Sequence, residues 1–220
     1  MAGFEDGSLG SYVGIAGYTV STETARTGGY SAMSATSSSN ARDSYLTYSF
    51  PSIGPGLYIR VGFFISTAHA YLSDQHVLFS LLSSGSTALI FGYHPTTGAL
   101  TLRTSGGTVL ATATQTIEKG AWYCLEGYLL LDDAPNGRAI FKLNGDAVID
   151  FTGDTLYTSS ATCDSIRLGR SLSNVYGVYG YFDDIAINDT TGSVNNSWVG
   201  QGGIRPLLVN ADGDHTGLTP

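Results

Sequence analysis

Two Asn-Gly dipeptides, each flanked by apolar runs, lie within residues 119–151, KGAWYCLEGYLLLDDAPNGRAIFKLNGDAVIDF. Asn-Gly accepts the positive φ angles that a tight two-residue hairpin turn demands. The stretch therefore predicts three strands joined at Asn136-Gly137 and Asn144-Gly145, a β-meander. Between the turns, Ala139, Phe141 and Leu143 fall on one face and Arg138, Ile140 and Lys142 on the other, the period of two expected of a half-buried strand. The preceding strand differs. Tyr123, Leu125, Leu129 and Leu131 share one face, while Trp122, Cys124, Tyr128 and Leu130 share the other with Glu126 among them, so both faces are covered and the strand is central in a two-layer sandwich.

The rest of the chain agrees with that architecture. Leu57, Ile59, Val61, Phe63 and Ile65 alternate with Tyr58, Arg60, Gly62, Phe64 and Ser66. Strands over 76–82, 87–93, 99–103 and 109–114 follow at roughly ten-residue spacing, with Ser-Gly, Pro-Thr-Thr-Gly and Ser-Gly-Gly breakers between them. Residues 12–20 read as one weak, Gly-interrupted edge strand, and 165–168 and 177–187 complete the set. No segment of ten or more residues sustains a 3.6-residue apolar period. With 42% hydrophobic residues and 29 glycines in 220 residues, the expectation is all-β, a two-sheet antiparallel β-sandwich of jelly-roll type over residues 1–190. Alternation ends after Asn188, so 191–220 is expected to be an extended arm. Its anchors, Trp198, Ile204, Leu207, Leu208 and Val209, are apolar groups that a solvated linker has no reason to carry. They predict attachment to other proteins or to further copies of the chain, as a multimer or on a lattice.

Composition removes several function classes. Charged residues make up only 13% of the chain and the net charge is −8, which leaves no basic stripe for a phosphate backbone and argues against nucleic acid as a partner. No apolar run approaches the ~20 residues that span a bilayer, and the first residues, MAGFEDGSLG, carry neither a basic nor an apolar signal region. No membrane association is expected, and synthesis in a cytoplasm without a signal peptide is. Cys124 and Cys163 do not make a disulfide framework and read as buried free thiols.

The residues that could carry chemistry are sparse. Glycoside hydrolysis needs two carboxylates about 5 to 10 Å apart across the sugar bond. The glutamates are Glu5, Glu23, Glu118 and Glu126, with no second acid near Glu126 in its strand. There is no Gly-x-Ser-x-Gly elbow, and His69, His76, His94 and His215 lack metal-ligand spacing and read as surface or strand-end residues. A non-enzymatic protein is expected. By alternation Asp183 falls on the face of Tyr181 and Ile185 and Asp184 on that of Phe182 and Ala186, so at least one carboxylate is directed at apolar surroundings and requires hydrogen bonds, a cation or a proton.

Gly120-Ala121-Trp122-Tyr123, leading into the meander, and Tyr181-Phe182-Asp183-Asp184-Ile185-Ala186-Ile187 together resemble the concanavalin A-like, laminin G-like jelly rolls, over roughly residues 4–190. The resemblance implies a structural Ca²⁺ where the Asp-bearing strand meets the N-terminal Phe-Glu segment, with Glu5 and Asp183 or Asp184 as its ligands. Residues 182–214, with Asp-Asp-Ile-Ala-x-Asn-Asp-x-x-Gly-x-x-Asn-Asn-Ser-Trp and a later Leu-x-x-Asn-x-Asp-Gly-Asp, resemble virion structural proteins of tailed bacteriophages. That implies a capsid decoration or tail-appendage domain located in the virion, with other virion proteins as partners. The alternative is a carbohydrate-binding module that stacks exposed aromatics, Tyr93, Trp122, Tyr176 or Tyr179, on sugar rings.

Overall fold

The computed structural model describes residues 4–10, 12–34, 44–69, 76–169, 176–177, 179–191, 193 and 196–204, the side chains of 13–16 and 176–177 excepted. The described residues form strands and no helix, so none of them spans a membrane as a helix. One sheet runs edge to edge as β1 (Tyr12–Ala16), β4 (Tyr45–Ile53), β13 (Cys163–Gly169), β6 (His76–Ser83), β7 (Ser86–Tyr93), β8 (Ala99–Thr104) and β9 (Val109–Thr116), with β14 (Tyr176–Gly177) also paired to β6. The other runs as β12 (Asp146–Thr152), β11 (Arg138–Leu143), β10 (Trp122–Leu130), β5 (Gly56–Ile65), β15 (Gly180–Asp189), β3 (Ser31–Ser34) and β2 (Tyr18–Ser21). All pairings but β14 with β6 are antiparallel. The fold is the expected two-sheet jelly-roll sandwich.

The meander is β10, β11 and β12, and β10 lies between β5 and β11. Its second turn forms as predicted, with Asn144 at φ 51° and Gly145 at φ 97°. The Asn144 side chain then accepts from the Cys124 amide at 2.8 Å, tying the turn to β10. The first turn differs. Asn136 and Gly137 end a longer loop, and Gly137 is there for close approach: a side chain on it would meet the Gly153 carbonyl and the Thr155 hydroxyl at 2.3 Å. A second difference concerns residues 12–20, which form two strands broken at Gly17 and shared between the sheets, β1 at the edge of one and β2 at the edge of the other.

Between the layers, the regular alternation of β5 buries Leu57, Ile59, Val61, Phe63 and Ile65 almost completely. Phe91 of β7 meets Phe141 of β11 with ring centroids 4.8 Å apart, joining the two sheets. Cys124 and Cys163 are buried free thiols, and burial pushes Cys163 up to about 12. Phe141→Ala is expected to destabilise the fold by about 3–5 kcal/mol in urea unfolding, because the opposite sheet cannot collapse into the space. A loss below about 1 kcal/mol would mean that the inter-sheet contact is not part of the core.

Candidate functional site

Both sheets have an outward face, and they are built differently. The outer face of the second sheet carries Glu126 and Arg60, cross-strand neighbours on β10 and β5 that are only 4% and 3% exposed. Residues 198–204 cover them. The Gly200 amide donates to Glu126 Oε1 at 2.6 Å and the Gly200 carbonyl accepts from Arg60 Nη1 at 2.9 Å. Trp198 sits edge-on to Tyr58, with ring centroids 5.5 Å apart, and Lys142 Nζ lies 3.9 Å from its ring centroid. Arg26 Nη2 donates to the Gln201 carbonyl at 2.6 Å.

This strap ends on the acid pair. A register irregularity between Asp183 and Ala186, with Asp184 at φ 51°, turns both carboxylates toward residues 26–27, where plain alternation would have sent one of them inward. Asp183 Oδ2 accepts from the amides of Arg26 and Thr27 at 2.9 and 3.1 Å, and its Oδ1 from the Asp184 amide at 2.7 Å. Asp184 is ion-paired to Arg26 at 2.7 Å and accepts from the Thr27 hydroxyl at 2.8 Å and the Ile204 amide at 2.6 Å. Glu5, the third acid of the implied Ca²⁺ set, accepts through Oε2 from the Gly29 amide, and its Oε1 is buried with no partner among the described residues. Asp184 already has a cation in Arg26, Asp183 is held by three N–H groups, and among the described residues no group of three metal-ligating side chains comes together.

The anchors expected to hold a neighbouring chain need a correction. Trp198 and Ile204 are seated on their own domain, because the buried Glu126, Arg60 and Asp184 require the strap's main-chain partners. Leu207, Leu208 and Val209 lie outside the described residues. Of the aromatics proposed for sugar stacking, Tyr93 is a core residue at 1% exposure. Trp122 packs on Phe64 and donates to Thr24 Oγ1 at 2.8 Å on the second sheet. Only the backbone of Tyr176 is described, and Tyr179 is half-buried with its amide donating to His69 Nδ1 at 3.2 Å. Tyr93 and Trp122 are thereby taken up in packing within the domain.

The outer face of the first sheet has a different composition. Asp164, which accepts from the Ser84 amide at 2.7 Å, is the one Asp or Glu in its described strands. Cross-strand register places Thr47, Arg167, Ser80, Ile90 and Arg103 side by side on one face. At ~4.8 Å per strand the two arginines are about 14 Å apart. Arg167 donates through Nε to Thr47 Oγ1 at 3.1 Å and lies over the Tyr45 ring at 5.1 Å, and Arg103 donates through Nε to Thr101 Oγ1 at 3.1 Å. Partial burial lowers Arg103 from its ordinary value, but a guanidinium stays charged. Fixing each Nε on a threonine holds the plane of each guanidinium. Sequence reasoning passed over this row. Its signal was the polar alternation of Thr101 and Arg103 with Leu100 and Leu102, and of Ser165 and Arg167 with Ile166 and Leu168.

At one end of the sandwich, His69 and His76 stand edge to face at 4.6 Å, both buried rather than on the surface. Burial, His76 and Lys119 push His69 down to about 3, so it is neutral at pH 7.

No known protein family matches the chain, and no curated protein matches it. Solved structures do. An endo-β-1,4-glucuronan lyase from the fungus Trichoderma reesei superposes with a TM-score of 0.60 at 12% identity, over 80% of this chain and 89% of that one. The cellulose-induced protein Cip1 gives 0.59 at 16% identity, over 85% and 95%. The carbohydrate-binding module CBM66 from Bacillus subtilis gives 0.49 at 14% identity, over 80% and 97%. At these identities the likeness is one of fold. None of the three is named as a virion protein, so the virion role gains no support from them. The expectation of a non-enzymatic protein does not stand. It rested on the missing carboxylates of a hydrolase, and the shared fold is one on which a polysaccharide lyase is built.

Two outcomes test the geometry of the second sheet. Burial and the adjacent Asp184 push Asp183 from its ordinary 3.8 up to about 7, against the pull of its three N–H donors. A raised folded-state value means that the stabilisation is complete below 3.8, declines as the pH rises to about 7 and is absent above. Asp183→Asn should flatten that part of a melting-temperature profile; an unaltered profile would mean that Asp183 titrates normally. Truncation before residue 196 should lower the melting temperature, since each buried charged group that loses its partner costs about 1–3 kcal/mol. An unchanged melting temperature would show the strap to be dispensable.

Proposed function

We propose that the chain is a carbohydrate-recognition sandwich and that the outer face of its first sheet binds an acidic polysaccharide. The observation that carries this reading is the row Thr47, Arg167, Ser80, Ile90 and Arg103, two oriented guanidiniums among hydroxyls on a face whose strands contribute one acid, in a protein of net charge −8. Here a carboxylate of a sugar chain lying across the strands can meet Arg103, with the row running on through Ile90 and Ser80 toward Arg167. Such pairs are charge-assisted and, with Arg, bidentate. Tyr45, already under Arg167, adds an aromatic surface suited to the apolar side of a sugar ring.

The likeness of fold to a lyase named for glucuronan supports an acidic polymer over a neutral one. On the second sheet the strap occupies the outward face around Glu126 and Arg60. Carriage of such a domain on a phage particle rests on the resemblance of residues 182–214 alone and is compatible with glycan adhesion.

Binding to glucuronan and alginate, with a neutral cellulose oligosaccharide for comparison, tests the reading by calorimetry. The acidic polymers should bind and weaken with added salt. Arg103→Ala and Arg167→Ala should each weaken binding about tenfold or more, from the ~1.5–3 kcal/mol of a hydrogen bond to a charged group. Equal binding by the double variant, or a preference for the neutral oligosaccharide, would overturn the assignment. Ultraviolet absorbance of unsaturated product in the same mixtures reports whether the bound polymer is also cleaved.

A further inference from the structure

A second site lies between the sheets, at the edge where β4 faces β15. There the sandwich contains a cavity of about 340 Å³. Its origin is a thinning of both layers at one place. On β4 the step from Ser49 to Ile53 is matched on β13 by the shorter step from Ser165 to Cys163, so residues 50–52 leave the ladder, and Pro51 among them has no amide to return to it. On the opposite sheet β3 pairs with β15 only at Tyr181 and Phe182, which leaves the remainder of that edge of β15 without a described ladder partner. The inward-facing Tyr48, Phe50 and Ile187 are consequently only half-buried although they pack against the core.

The lining has a definite chemistry. One wall is aromatic, Tyr12, Tyr48 and Phe50, with centroids 5.3 Å apart for the first pair and 6.3 Å for the second. The other is aliphatic, Ile53, Ile185 and Ile187, and the half-buried Asp189 is its one carboxylate. Tyr12 is 6% exposed, and its hydroxyl is buried with no hydrogen-bond partner among the described residues. Such a group is rare in a native interior and normally points to a missing partner. A single water needs only about 10–15 Å³, and 340 Å³ of mostly apolar space lies in the range of ligand pockets, ~300–1,000 Å³.

We propose that this cavity binds a small, neutral, planar aromatic molecule carrying one hydrogen-bond acceptor, its rings against Tyr48 and Phe50 and its acceptor on the Tyr12 hydroxyl. Neutrality follows from the mostly apolar lining, in which a charge would lose its hydration, and Asp189 with no cation among the lining residues further disfavours an anion. The acceptor follows from Tyr12, whose buried hydroxyl keeps its proton and has no acceptor for it among the described residues. The site is separate from the arginine row, which lies on the outward side of the first sheet.

The test uses the full chain with ¹³C-labelled isoleucine methyls, titrated with 2-acetonaphthone, with naphthalene, which lacks the acceptor, and with 2-naphthoate, which adds a charge. The methyl signals of Ile53, Ile185 and Ile187 should shift saturably with 2-acetonaphthone, while those of Ile90 and Ile140, on the outward faces, stay in place. Tyr12→Phe, which removes a hydroxyl that bonds nothing in the described protein and so should leave folding intact, should weaken the ketone about tenfold and leave naphthalene unchanged. The naphthoate should bind least. Absence of a saturable shift, shifts that include Ile90 and Ile140 equally, or unchanged ketone affinity in Tyr12→Phe would each overturn the proposal.

Discussion

Two adjacent carboxylates with no exposure, Asp183 and Asp184, are the constraint on which the outer layer of this protein depends. A buried carboxylate without partners is untenable, so each oxygen must be met by a donor. The donors come from separate parts of the chain, residues 26–27 on one side and residue 204 on the other. The irregularity in β15 that puts both acids on one side is what allows one cluster to hold both segments. Arg26 then does double duty, pairing with Asp184 and holding the Gln201 carbonyl. The chain after β15 is drawn across the second sheet as a consequence.

That placement divides the labour between the two sheets. The second sheet keeps its polar outward residues, Glu126 and Arg60, in contact with the strap, and its face is used up in holding the chain together. The first sheet has a different outward composition, in which Asp164 of β13 is the one acid of its described strands. Arg167 and Arg103 are each fixed through Nε on a threonine, which sets the plane of each guanidinium.

The periodicity of β5 and of the meander identified the core directly. Ala139 through Leu143 alternate as they must when one face meets the other sheet, and burial followed that pattern; the apolar set Leu57 to Ile65 is buried too, but on β5 Arg60 and Gly62 of the other face are covered as well. Asn144-Gly145 was equally legible, since the turn is set by the backbone preferences of its own two residues. Asn136-Gly137 was not, because its conformation answers to Gly153 and Thr155, which local sequence does not place beside it. The strand expected over 12–20 failed for a similar reason. A glycine between two short apolar runs is compatible with one bent strand or with a crossing between sheets, and only the available edges decide.

The sequence by itself determined the architecture: strand-period apolar patterning, turn chemistry and the lack of any helical period leave a two-sheet antiparallel sandwich as the way to bury this much apolar surface. Tertiary structure alone decided where the chemistry lies. Thr47 and Arg167 are neighbours at 3.1 Å though 120 positions apart, and Arg103 joins them only through the intervening register of β6 and β7. Trp198 and Ile204 could be read as anchors from their apolarity, but the surface they anchor to is set by buried Glu126, Arg60 and Asp184. Tyr93 and Trp122 were eligible for a sugar platform by residue type and were assigned elsewhere by packing. Alternation along a strand says which way a side chain points relative to its neighbours in sequence. The long-range pairing of strands says what stands beside it, and every candidate site in this protein is made of residues from at least three strands.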